Sequence, residues 1–188
     1  RSSIPKQFIN VYDKPILLYT LEGFEKHPMV DAIEVVCIEG WEDTVCSYAQ
    51  HYNISKLKWI VTGGAMVQES IRNGVFALED KCSEDDIIII HDGIRPLVDA
   101  EVLTDVIRKA QQYGNAVTSM PYNEQIFIVN EDDMLTTSKF IPRETIRRVS
   151  TPQAYQFGLI DRKYHEVFEK GIGIGGSHYT NTMMVELG

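Results

Sequence analysis

Asp86-Ile87-Ile88-Ile89-Ile90-His91-Asp92-Gly93-Ile94-Arg95-Pro96 is the stretch on which the reading of the fold turns. Four consecutive isoleucines between an acid and a polar, glycine-containing turn are too short for a buried helix. They do not alternate with polar residues either, so they read as a strand buried on both faces. Strands of that kind belong to parallel sheets whose crossover helices cover both sides, which predicts strands and amphipathic helices in alternation. The flanking sequence follows that order. Residues 33–38 and 59–62 are further short β-branched runs, and residues 41–51, 68–79 and 101–112 read as helices between strands. An earlier helix starts at Pro15, carries Ile16, Leu17, Leu21 and Phe24 on one face, and ends before Pro28. Asp99 is placed to cap the helix that presents Val102, Leu103, Val106 and Ile107.

Beyond Pro121 the grammar changes. Residues 125–129 and 134–137 flank Asn130-Glu131-Asp132-Asp133 and predict two strands joined by an acidic turn, an excursion that reads either as a sheet edge or as a projecting arm. A last helix is expected over residues 158–170, then a glycine-rich loop, then a new helix near Asn181.

Composition limits the function classes. With 188 residues, 44% hydrophobic and 24% charged, the chain matches one soluble globular domain, residues 1–188. Eighteen Lys and Arg against 27 Asp and Glu give a net charge of −9, which disfavours generic binding to nucleic acid or to an anionic membrane. A polyanionic substrate must therefore meet locally gathered basic residues. Three cysteines without metal-ligand spacing argue against a disulfide framework or zinc and point to a reducing cytoplasm. No run approaches the roughly 18 apolar residues of a membrane span. Both ends read as cut, since Arg1 is no initiator and the sequence stops inside Met183-Met184-Val185-Glu186-Leu187-Gly188.

Several segments could carry chemistry. His91-Asp92-Gly93-Ile94-Arg95-Pro96 follows directly on the isoleucine strand, where ligands of open parallel sheets bind. Asp92 could hold magnesium and Arg95 could grip phosphate; alone, the hexapeptide fits a solvated strand-ending turn as well. Thr62-Gly63-Gly64-Ala65-Met66 follows another strand, and Ser70 near the next helix start could add a hydroxyl to backbone groups that the glycines expose. Lys6, after Pro5, could supply charge to a polyphosphate. Arg143, Arg147 and Arg148 form a basic group ahead of Thr151-Pro152-Gln153. Gly171-Ile172-Gly173-Ile174-Gly175-Gly176 satisfies G-x-G-x-x-G, yet a helix rather than a strand precedes it, which favours a plain helix-to-helix loop over a dinucleotide site.

In order and spacing, Pro5-Lys6-Gln7, Gly63-Gly64 with Ser70 and Asn73-Gly74, the hexapeptide at 91–96, and Thr151-Pro152-Gln153 resemble the cytidylyltransferases that attach CMP to a small polyol phosphate, methylerythritol phosphate or ribitol 5-phosphate. The resemblance implies a Rossmann-like three-layer α/β nucleotidyltransferase fold with a mostly parallel sheet and a β-hairpin arm at about 122–150. It implies CTP and a polyol phosphate as substrates, Mg2+ as cofactor, and a homodimer formed through the arm. By the same resemblance Lys6 and Arg1 are catalytic. Gly63, Gly64, Ala65, Ser70 and Asp92 bind the nucleotide, Arg95, Arg143 and Thr151 bind the acceptor, and Asp92 with Asn181 holds the metal. Three departures stand out. Val67 and Asn181 replace the family's arginine and aspartate, and Glu124-Gln125 replaces an Asp-Thr pair near the acceptor. The first two leave open a nucleotide-binding homologue without turnover; the third, with Asn181, leans the acceptor toward ribitol 5-phosphate.

Overall fold

The computed structural model describes residues 4–171 and 179–188. A short 3-10 turn, Lys6–Phe8, opens it and is followed by a two-residue ladder, β1 (Asn10–Val11) with β2 (Lys14–Pro15), and by helix α1 (Ile16–Glu25). Strand β3 (Ile33–Cys37), helix α2 (Glu42–His51), strand β4 (Leu57–Thr62), helix α3 (Val67–Ala77) and strand β5 (Ile87–Ile90) then alternate as the periodicity predicts. Helix α4 (Ala100–Tyr113) leads to β6 (Asn115–Pro121), and β7 (Ile126–Val129) with β8 (Thr137–Ile141) makes a hairpin. Strand β9 (Arg147–Gln156) and helices α5 (Phe157–Lys170) and α6 (Thr180–Leu187) close the chain.

Helix α4 shows how local sequence sets an element. The Asp99 carboxylate accepts the Glu101 amide at 2.7 Å, capping an otherwise orphaned donor, and Gly114 ends the helix in the left-handed conformation at φ 87°. Leu103, Val106, Ile107 and Ala110 form the buried stripe; Val102, expected on it, lies at the surface because it sits at the stripe's edge in the helix's first turn.

The sheet corrects one expectation. Among the described residues only β3 and β4 pair in parallel, with Cys37 opposite Thr62, whereas β9 runs antiparallel to both β5 and β6. Being antiparallel to the same strand, β5 and β6 are parallel to each other and are joined by α4, so the strand-helix-strand unit survives with β9 inserted in its middle. That insertion is hard to foresee, because Pro152 and the polar run before it argue against a central strand. Proline is accommodated where the register shifts between Val117 and Ser119, and the Thr118 hydroxyl donates to the Pro152 carbonyl at 2.8 Å.

Two large cores and a smaller cluster of Val106, Ala110 and Ala154 pack against the strands. Leu18, Leu21, Val45, Ala49 and Leu103 centre one, while Tyr155, Ile160, Tyr164, Val167 and Met183 centre the other beneath α3, α5 and α6. Leu18 is fully buried, so Leu18→Ala costs about 2–5 kcal/mol. Strands β3 and β5 each pair on one side only among the described residues, and a cleft of about 900 Å³ lies between them, reaching from Val36 and Ile88 to Ser70, His91 and Gly93.

The hairpin forms, but its second strand begins at Thr137 rather than Met134. The Asp133 carboxylate accepts the Leu135 and Thr136 amides, each at 2.9 Å, and so extends the turn by three residues before pairing starts. Gly171 ends α5 in the left-handed conformation at φ 63°, so the glycine-rich segment does follow a helix; residues 172–178 lie outside the described residues.

Candidate active site

The loop after β4 is held by its own glycines. The Gly63 amide donates to the Cys37 carbonyl at 2.7 Å, tying the ends of the two parallel strands together. The Gly64 amide donates to the Ser70 hydroxyl oxygen at 3.0 Å, while Glu69 accepts the Met66 amide at 3.0 Å. A methyl at Gly64 would fall 2.3 Å from the Glu69 Cβ, and one at Gly63 would fall 2.9 Å from the Ser70 Oγ. The returning helix leaves no room for a side chain at Gly64 and crowds Gly63, and Ala65, Met66 and Val67 at the loop's crest stay exposed. Ser70 thus braces the loop that the sequence expects it to serve as a ligand contact. Glu69 escapes notice on functional grounds, although its place three residues after Met66 is the spacing of a helix-start carboxylate.

The loop after β5 is fastened from beneath. The Thr20 hydroxyl, buried in α1, donates to the Gly93 carbonyl at 2.9 Å. Leu17 packs so close that a methyl at Gly93 would fall 2.9 Å from its Cδ1. His91 Nε2 lies 2.9 Å from the Arg95 carbonyl, an acceptor, so Nε2 carries the proton and donates. Burial pushes the His91 imidazole below its ordinary range and keeps it neutral at pH 7.

On this latched loop Asp92 and Arg95 face each other in the open. Arg95 Nε meets Asp92 Oδ2 at 2.5 Å with both side chains about half exposed. The carboxylate expected to hold magnesium is therefore engaged by the guanidinium expected to grip phosphate. One exposed carboxylate at a strand end suits a cation that completes its shell with phosphate oxygens and water. Glu79, Asp161 and His165 are the one group of three metal-capable side chains clustered among the described residues, and they lie away from this loop at the junction of α3 and α5.

The remaining expected residues are spread around these loops. Lys6 is exposed at the start of its 3-10 turn, which is seated by Phe8 stacking on Trp41 at 4.4 Å between centroids. Arg1 lies outside the described residues. Arg143 sits in a short 3-10 turn between β8 and β9, exposed and 3.5 Å from Glu144. Thr151 lies within β9, where its hydroxyl oxygen is buried without a partner. Asn181 is in the first turn of α6. The structure brings Gly63, Gly64, Ala65 and Ser70 into one loop and Asp92 and Arg95 into another; Ser70 from the first, with His91 and Gly93 beside the second, lines the cleft between β3 and β5. It leaves Arg143 on the arm.

An α/β core with paired glycine loops at strand ends is the frame of a nucleotide-handling enzyme, and comparison with known proteins gives the class. The family model for 2-C-methyl-D-erythritol 4-phosphate cytidylyltransferase (IspD) matches residues 1–178, and the chain belongs to this family of cytidylyltransferases. It is 57% identical over 185 residues to the ribitol-5-phosphate cytidylyltransferase of Lacticaseibacillus paracasei, a match covering 98% of this chain and 78% of that one. The 2-C-methyl-D-erythritol 4-phosphate cytidylyltransferase of Geobacter metallireducens is 39% identical over 168 residues, with 88% and 70% of the two chains covered. Among solved structures, the 4-diphosphocytidyl-2C-methyl-D-erythritol synthase of Anaerococcus prevotii superposes with a TM-score of 0.84 at 19% identity, over all of this chain and 78% of that one. This likeness shows the shared fold.

Proposed function

We propose that this protein transfers CMP from CTP to ribitol 5-phosphate and releases pyrophosphate. The observation that carries the acceptor is the 57% identity, along 98% of the chain, to a ribitol-5-phosphate cytidylyltransferase, well above the 39% to the methylerythritol-phosphate enzyme. The replacement of an Asp-Thr pair by Glu124-Gln125 supports it.

In this reading an acceptor phosphate oxygen attacks the α-phosphorus of CTP in line, forming the new phosphorus–oxygen bond as the bond to the pyrophosphate oxygen breaks. Catalysis of such a transfer is mostly positioning and charge neutralisation. The Gly63-Gly64-Ala65 backbone receives cytosine and ribose, and Lys6, with Arg1, faces the charge that grows on phosphorus. Asp92, with Asn181 offering an amide oxygen, would hold magnesium, which would supply positive charge against the triphosphate. The pairing of Arg95 with Asp92 balances charge on the loop, and Arg95 would be free to meet acceptor phosphate where Asp92 held a cation.

The hairpin, with Arg143 and Thr151 beside it, serves a homodimer in which each arm completes the partner's acceptor site. Phe127 and Phe140 are direct cross-strand partners and both are exposed, an apolar face suited to burial against a second copy. Three free cysteines support a reducing, cytoplasmic setting, and no helix among the described residues is long and apolar enough to cross a membrane.

Pyrophosphate release from CTP and Mg2+ tests the reading, with ribitol 5-phosphate and methylerythritol phosphate offered separately. Turnover with the first and little with the second is expected; the reverse preference overturns the acceptor. Lys6→Ala should lower turnover by orders of magnitude and leave the melting temperature in place, since Lys6 is exposed. A near-normal rate in that variant removes Lys6 from catalysis. CTP binding without product across polyol phosphates would favour a nucleotide-binding homologue, the reading that Val67 and Asn181 allow.

A further inference from the structure

In the first turn of α3, only Gln68 is buried; Met66 and Val67 are exposed and Glu69 and Ser70 are partly covered. The helix end that braces the glycine loop is therefore seated in the core through one polar side chain. Gln68 Oε1 lies 2.8 Å from the Tyr164 hydroxyl of α5, and that hydroxyl lies 2.8 Å from Thr180 Oγ1 of α6. The carbonyl oxygen of Gln68 can only accept, so Tyr164 donates its one proton to it, and the Thr180 hydroxyl donates to Tyr164. All three residues are buried, with Tyr164 fully enclosed and its phenol held well above its ordinary range by burial. Thr180 adjoins Asn181 in the first turn of α6.

We propose that Tyr164 is a positioning residue: its hydroxyl couples the loop at residues 63–70 to the helix that carries Asn181, and so sets the affinity of the site for CTP. The proposal rests on the reading that this loop holds CTP. A buried polar chain with a single proton order admits one arrangement of its three elements, which a purely apolar contact does not impose. Without the phenolic oxygen, the Gln68 carbonyl and the Thr180 hydroxyl lose their shared partner.

The experiment is calorimetry of CTP binding with Mg2+, far below the melting temperature, on wild type, Tyr164→Phe, Thr180→Val and Thr180→Ser. Tyr164→Phe and Thr180→Val should each weaken CTP binding about tenfold, and Thr180→Ser, which keeps the hydroxyl, should restore wild-type affinity. In turnover assays the two weakened variants should raise KM for CTP while kcat at saturation holds within about threefold. A merely structural bridge would lower the melting temperature and leave CTP affinity unchanged, and that result overturns the coupling. Because the Thr180 pair probes the far end of the chain of bonds, the test does not depend on Tyr164→Phe alone. Failure of the wild-type protein to bind CTP would overturn the nucleotide reading itself, a different outcome from wild-type binding with indifferent variants.

Discussion

The loops at the strand ends carry Gly63, Gly64 and Gly93 while the hairpin arm at 122–150 has no glycine, and the two regions are built in opposite ways. Around the cleft the loops are held by internal partners: the Gly63 amide by Cys37, the Gly64 amide by Ser70, the Gly93 carbonyl by Thr20 and the Arg95 carbonyl by the His91 imidazole. On the arm Phe127, Ile128, Val129, Leu135 and Phe140 face outward. The first region is shaped before any ligand arrives, which lowers the ordering cost of binding. The second leaves apolar surface that only another surface can cover. On the proposed function, nucleotide recognition would lie within one chain and acceptor recognition would lean on assembly.

The contrast breaks first at Gly64. A single methyl there meets the Glu69 Cβ at 2.3 Å and its backbone carbon at 3.2 Å, so the loop or the helix start must move. Gly64→Ala is expected to weaken CTP binding by about a hundredfold, the effect of misplacing a preorganised contact by roughly 1 Å. Gly23→Ala, with nothing within 4 Å of the added carbon, is the control and should leave CTP affinity within about twofold. Calorimetry checks both. Equal affinities in wild type and Gly64→Ala would mean that the loop is not preorganised for the nucleotide.

The arm should respond in the other currency. Phe127→Ser with Phe140→Ser removes the exposed cross-strand aromatic pair without touching the cleft. Expected outcomes are a monomer by sedimentation, about tenfold lower turnover at limiting polyol phosphate, and unchanged CTP affinity. A dimer that persists in the double variant would place the interface elsewhere.

These two regions also differ in how far the sequence discloses them. The isoleucine strand, its neighbours and the helices between them follow from periodicity, and Asp99 follows from capping chemistry, because each depends on residues close in the chain. Strand β9 does not, since its pairing with β5 and β6 is a long-range fact that overrides proline and polar composition. The same divide runs through the site. Gly63-Gly64 and His91-Asp92-Gly93 are visible as strand-ending turns, while the engagement of Asp92 by Arg95 and the bridge from Gln68 through Tyr164 to Thr180 need the folded chain. Ser70 is legible as a site residue, and the folded chain adds that its hydroxyl oxygen accepts the Gly64 amide; that Leu17 crowds Gly93 needs the folded chain as well.

The smallest effect probes charge on the two sides. Asp133 in the arm is held below its ordinary range by amide and hydroxyl donors from Thr136 and Leu135, so its ionised form is favoured in the fold. Glu34, on β3 at the edge of the cleft, is the reverse: desolvation pushes it up to about 7, against some relief from Lys81, and its Oε2 is buried without a partner. Because the folded value lies above the unfolded one of 4.5, the native protein retains a proton that the unfolded chain releases between those values. Stability therefore falls as pH rises from about 4.5 to 7, and the penalty is complete above 7. Glu34 is partly open to water, which reduces a linkage effect of a few kcal/mol to about 1 kcal/mol. Glu34→Gln should raise the melting temperature by about 2–4 °C at pH 8 and leave it unchanged near pH 4. A gain that is the same at both pH values would assign the effect to packing against Gly74 rather than to the buried charge.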